Sequence, residues 1–256
     1  MVLLALAVLC VVALGERRRI LDLAILADVR LHPSDPRWAH RLPRDRSTYA
    51  MLEREFRREG VALWAASVLL AKAEHPDGFN ALRRLAEDAR LSPHARRVAA
   101  EQLPRVRHPE ADRYVELLLD NTPDDRMRRS VLGGFWSAGR AEESVGLLLR
   151  TAPKMRDPAS ISGALTWVAL TAPSPRLLPL VLRYAQHDSS TVRRAAIAAG
   201  HSLFWDTTQL QESEYAQIVE MWRRATRDQD PSVAVPAEAY IHAMEQVGLP
   251  RKPRYP

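Results

Sequence analysis

From residue 47 onward the chain alternates between amphipathic segments and short polar breaks rich in Pro, Gly, Asp and Ser. Apolar residues within the segments return every three or four positions, which lays one apolar stripe along a helix. One series of such segments reads FNALRRLAEDA (79–89), ADRYVELLLDN (111–121), AEESVGLLLRT (141–151), PRLLPLVLRYA (175–185) and EYAQIVEMWRRAT (214–226). Nothing in this pattern has the two-residue alternation of a half-buried strand. The spacing predicts an all-α chain.

A second series interleaves with the first. It reads SPHARRVAAEQL from 92, DDRMRRSVLGGF from 124, DPASISGALTWV from 157, SSTVRRAAIAAG from 189 and DPSVAVPAEAYI from 230. The starts lie 32, 33, 32 and 41 residues apart, and the longer last step coincides with DTTQLQES (206–213), which reads as an inserted loop. GVALWAASVLLA from 60 fits one step earlier. Each copy opens on Ser, Asp or Pro, residues that start helices by capping or by a preset φ. A core position follows at Ala95, Met127, Ile161, Val192 and Val233, and small residues such as Ala99, Ala195, Ala196 and Ala199 allow close helix approach. The unit is helix, turn, helix. One such hairpin cannot bury both its apolar faces, so it must stack on its neighbours.

The second series carries arginine near its start: Asp125-Arg126-Met127-Arg128, Asp188-Ser189-Ser190-Thr191-Val192-Arg193, and in part Ser92 to Arg96 and Asp230 to Val233. In this the chain resembles HEAT-repeat proteins, especially the bacterial HEAT-like type found in phycobiliprotein lyases, whose second helix opens with D-x-x-V-R. The resemblance covers residues 47–247, with one spacer too few at Asp125 and one too many at Asp188, and with Ser162 and Ala234 where two copies lack the arginine. It implies an α-solenoid of about six hairpins. It also implies that turn aspartates bond helix arginines between adjacent repeats: Asp188 with Arg193, and Asp124 or Asp125 with Arg128, Arg96 being the corresponding arginine one repeat earlier. The next residues, Arg97, Arg129 and Arg194, would then face the surface of the second helices, which is concave in that family.

Charge refines the picture. The net +6 comes from residues 16–60 and from the tail residues Arg251, Lys252 and Arg254; residues 61–247 balance to zero. A repeat body without net charge is not the uniformly cationic surface expected of a nucleic-acid binder. The single cysteine, Cys10, excludes an internal disulfide and a cysteine zinc site. Met1–Leu14 is uncharged and is followed by Arg17, Arg18 and Arg19. Three readings stay open for it: a short signal-anchor that leaves the repeat domain cytoplasmic, a signal peptide cut near Gly15, or a buried helix. The expected organisation is an N-terminal hydrophobic helix (1–30), a Pro-rich linker (31–46), the HEAT-like domain (47–247) and a basic tail (248–256).

The sequence offers no catalytic constellation. It has no nucleophile elbow, P-loop, G-x-G-x-x-G or H-E-x-x-H, and its eight histidines (32, 40, 75, 94, 108, 187, 201 and 242) fall at loops and helix ends. No catalytic residue, metal ligand or cofactor is expected. Paired carboxylates at Asp124-Asp125 and Glu142-Glu143 sit at helix starts, where they complement the helix dipole. Of the tryptophans at 38, 64, 136, 167, 205 and 222, Trp136 and Trp205 each follow a phenylalanine late in a second segment. Together with Arg97, Arg129 and Arg194 they are the candidate partner-binding residues. The expected role is a non-catalytic scaffold for a protein or peptide partner, tethered to a membrane through Met1–Leu14. Two alternatives remain. A nucleic-acid-binding or repair protein would gather Arg97, Arg129, Arg194, Arg223 and Arg224 on one face. A lyase-like or chaperone-like protein would bind a tetrapyrrole chromophore.

Overall fold

The computed structural model describes residues 46–59, 63–72, 76–206 and 210–247. The expected hydrophobic helix, nearly all of the linker and the basic tail lie outside these residues. The described residues form twelve α-helices and no strand. These are α1 (Arg46–Arg57), α2 (Leu63–Lys72), α3 (Pro76–Glu87), α4 (Pro93–Gln102), α5 (Pro109–Asn121), α6 (Asp125–Ser137), α7 (Ala141–Thr151), α8 (Pro158–Thr171), α9 (Leu178–Tyr184), α10 (Ser190–Asp206), α11 (Glu212–Ala225) and α12 (Pro231–Val247). Among the described residues no helix is long and apolar enough to cross a membrane.

The chain divides into two compact units within α5, after Arg113. In the first unit, α1 packs on α2 and α3, and α4 packs on α2 and α3, around Leu52, Phe56, Leu69, Leu70, Phe79 and Leu82. In the second unit, α6 packs on α8, α8 on α10 and α10 on α12, so the later helix of each hairpin stacks on the next. The earlier helices lie against this row: α7 on α6 and α8, α9 on α10, α11 on α10 and α12. Contact between α9 and α11 themselves is sparse.

Local chemistry sets these boundaries. Asp124 accepts from the N–H groups of Arg126 and Met127, Asp157 from Ser160 and Ser92 from Ala95, each satisfying donors that a helix start leaves open. Helix α6 ends at Ser137; two residues on, Gly139 has a φ of 70°, open to glycine, and Arg140 N–H closes the turn on the Phe135 carbonyl. Asp206 still belongs to α10 and α11 begins at Glu212, so both ends of the segment expected as a loop, 206–213, are helical.

Within each unit, polar bonds recur at the interval of the sequence repeat. Arg57 pairs with Asp88, Arg84 with Glu53 at 2.9 Å, and Ser92 N–H donates to Glu59 at 2.8 Å. In the second unit Lys154 pairs with Asp120 at 2.8 Å, and Tyr184 donates its hydroxyl to the Ala152 carbonyl at 2.8 Å. Partners in these bonds are 31 to 34 positions apart. Each joins equivalent levels of neighbouring hairpins.

Candidate functional site

The arginine pairs at the starts of α6 and α10 divide into an inner and an outer member. Arg128 is buried; its Nε donates to the Leu119 carbonyl at 3.0 Å and its Nη1 to Asp125 at 2.7 Å. The other oxygen of Asp125 accepts the N–H groups of Arg156 and Asp157, at 2.6 and 2.7 Å, at the start of the next repeat. Burial works to raise the Asp125 pKa. The Asp157 and Arg156 N–H bonds and the Arg128 guanidinium outweigh it and hold the carboxyl below its ordinary range.

Arg193 does the same work with different partners. It forks onto Asp228 through Nε at 2.7 Å and Nη2 at 2.8 Å, while Nη1 donates to the carbonyls of His187 and Asp188. The expected Asp188–Arg193 pair is therefore formed through the Asp188 backbone, and the carboxylate comes from the following turn, 35 residues on. The Arg193 fork holds the Asp228 carboxyl below its usual range. Arg96, expected to act likewise, has a buried Nε without a hydrogen-bond partner.

In the second unit the outer arginines, Arg129 and Arg194, have no carboxylate partner among the described residues. Arg129 lies across α8: its side chain occupies the space that a Cβ on Gly163 would need. Its Nε is buried without a hydrogen bond, and the guanidinium carbon stands 5.9 Å from the Trp167 ring. In return, Trp167 of α8 lies on Gly133 of α6, its ring within 2.2 Å of where a Cβ would stand. Two helices thus run side by side in register, each laying a long side chain over a glycine of the other. One turn beyond, Trp136 and Leu170 are each 61% exposed, and Trp167 is 41% exposed. Arg194 on α10 is exposed and carries no ion pair among the described residues.

The expected site residues separate accordingly. Arg129 and Trp136 belong to one contiguous shelf on α6 and α8, with Trp167 and Leu170, which sequence reasoning did not select. The signal for Trp167 was Gly133, 34 positions earlier in a helix interior, where only a neighbour's side chain can fill the gap. Arg194 extends the same row of helices on α10. Trp205 is only half-buried, yet it packs edge-on to Phe204 with ring centroids 5.0 Å apart and belongs to an aromatic cluster with His201 and Trp222. Arg97 belongs to the first unit and is half-buried on α4.

A second concavity, of about 450 Å³, opens where α9 and α11 diverge. Leu182, Ala185 and Met221 line it, and Arg224, paired with Glu220 at 2.9 Å, stands at its side. Within the second unit, Arg223 and Arg224 are on an earlier helix and Arg129 and Arg194 on later ones. Among the described residues no group of three or more His, Cys, Asp or Glu side chains could hold a metal ion. Compared with known proteins, the chain matches no family model and no curated protein.

Proposed function

We propose that this protein is a non-catalytic protein–protein interaction scaffold, an α-solenoid of HEAT-like hairpins that holds its partner on the later helices of its repeats. Stacking by equivalent polar bonds at repeat spacing supports the architecture. One observation carries the function: Trp136, Trp167 and Leu170 stand exposed together beside Arg129, which has no acidic partner among the described residues. Large apolar side chains grouped in this way mark interaction surfaces, and tryptophan and arginine are the residues that dominate binding energy at them. In this reading Met1–Leu14 tethers the scaffold to a membrane with the repeat domain on the cytoplasmic side, or is removed near Gly15 on export.

The test uses the full-length protein in its own cells, with a photo-crosslinking amino acid placed at Trp136 or Leu170, and at exposed Glu142 on α7 as control. Discrete protein adducts from 136 and 170 that are absent from 142 are expected. Equal labelling at all three positions would overturn the proposal. Nuclease-sensitive adducts would instead favour the nucleic-acid reading, and visible absorbance of the purified protein the chromophore reading.

A further inference from the structure

The chemistry of the shelf extends beyond α6 and α8. Helix α8 has no charged residue, and α10 carries a single carboxylate, Asp206, at its far end. On α6 the only acid is Asp125, engaged by Arg128 and by the next turn's N–H groups. The caps Asp124 and Asp157 are committed to helix N–H groups. Arg194 is exposed, Arg129 is half-buried along α8, and among the described residues neither is paired with a carboxylate of these three helices; the exposed Asp188 stands in the turn before α10. Both lie four positions after the first residue of their helix, Asp125 or Ser190, so they share one level. Trp136, Trp167, Leu170 and half-buried Trp205 lie farther along the same helices. The face has a cationic strip toward the helix starts, reinforced by their dipoles, and an apolar strip toward their ends.

The dimensions select an occupant. Seven residues separate Arg129 from Trp136, roughly 10 Å along a helix, which is about the diameter of another helix with its side chains. Neighbouring helices pack at about 8–10 Å, so Arg129 on α6 and Arg194 on α10 stand roughly 16–20 Å apart. At 1.5 Å per residue this spacing matches carboxylates about eleven positions apart, three turns, on one face of a helix. We infer that the face binds an acidic amphipathic helix of a protein partner, lying across α6, α8 and α10 with its carboxylates on Arg129 and Arg194 and its apolar stripe on Trp136, Trp167 and Leu170. This inference rests on the scaffold reading and adds the chemistry and direction of the partner.

The test is fluorescence anisotropy with the full-length protein and three labelled model peptides of about eighteen residues. The first carries a glutamate stripe at i, i+4, i+7 and i+11 beside a leucine stripe; the second has lysine for glutamate; the third is a scramble of the first. The acidic amphipathic peptide is expected to bind at least about tenfold more tightly than either other, weakening as salt rises. R194E, at an exposed position, and R129E are each expected to narrow or reverse the preference for acid, while W136A weakens binding of any peptide. Far-ultraviolet circular dichroism checks the fold of each variant, and R194E alone decides if R129E is misfolded. Equal affinity for the acidic and basic peptides, or indifference of the acidic one to R194E, overturns the inference. If that occurs while crosslinks from Trp136 persist, the scaffold reading stands and only the partner chemistry falls. If a generic RNA or duplex DNA competes at Arg194 better than the acidic peptide, the inference also falls.

Discussion

Replacing Asp125 by alanine should destabilise the second unit far more than a surface aspartate would. Its carboxylate accepts three hydrogen bonds, one from Arg128 and two from the backbone of the following repeat, and its side chain is 10% exposed. The Arg156 N–H is exposed and can turn to water. The Asp157 N–H is half-buried, and the Arg128 side chain, 8% exposed, keeps only the Leu119 carbonyl. Stranding a buried guanidinium costs about 3–5 kcal/mol, and partial relaxation toward solvent brings the expected loss to about 3 kcal/mol. Urea unfolding followed by tryptophan emission is a suitable assay, since Trp136, Trp167, Trp205 and Trp222 all belong to the second unit. Adding R128A should recover part of the loss, because the double variant no longer leaves a charge unpaired. The pH dependence has a defined sign. The Asp125 pKa is depressed in the folded state, so its stabilisation is complete above the ordinary carboxylate range near pH 4 and is lost as pH falls through the folded value. D125A should flatten that part of the acid profile. A loss below about 1 kcal/mol, or losses for D125A and R128A that simply add, would refute the bridging role.

Three further outcomes follow from the second unit. The His201 ring lies 4.3 Å from that of Tyr240, tilted by 36°, and burial lowers its pKa against the weaker opposing pull of Asp206; stability should therefore be full above the ordinary histidine value of 6.5 and decline below it, and H201F should remove that slope in urea titrations between about pH 5 and 8. Trp222 is fully buried, donates to the Ile197 carbonyl at 3.3 Å and touches Phe204 and Tyr240, so W222A should cost about 3–5 kcal/mol by denaturant unfolding, with a value under about 1.5 contradicting its place in the core. In G133A the new methyl must push the Trp167 ring off α6, while alanine gains about 1 kcal/mol of helix propensity; stability should stay within about 1 kcal/mol of the parent while acrylamide quenching of tryptophan increases, and unchanged quenching would contradict the ring's position.

The helix starts of the second series were legible because capping is local chemistry. The segment starts read at 92, 124, 157, 189 and 230 are the residues immediately before α4, α6, α8, α10 and α12. The side chains of Ser92, Asp124, Asp157 and Asp230 serve N–H groups two or three residues away, so the signal needs no knowledge of the tertiary structure. One residue turns a helix by about 100°, which moves Arg194 off the side where Arg193 pairs and leaves it exposed, whereas Arg129 lies half-buried along α8, where Gly163 makes room for it. The partners of those buried arginines were less legible. Arg193 chose Asp228 over the carboxylate of Asp188 because its guanidinium reaches across the stack, and the distance between consecutive turns depends on how closely α10 and α12 pack. The tryptophans were hardest. Trp136 and Trp205 follow phenylalanine in similar segments, yet α6 ends one residue after Trp136 at a glycine-closed turn, while Trp205 meets Phe204 and His201 in an aromatic cluster. Whether an indole faces solvent depends on what the neighbouring helix places beside it. The glycines at 133 and 163 hold that information at the shelf: each marks where the neighbour's long side chain must lie, and read as a pair 30 residues apart they point to Trp167 and Arg129 together.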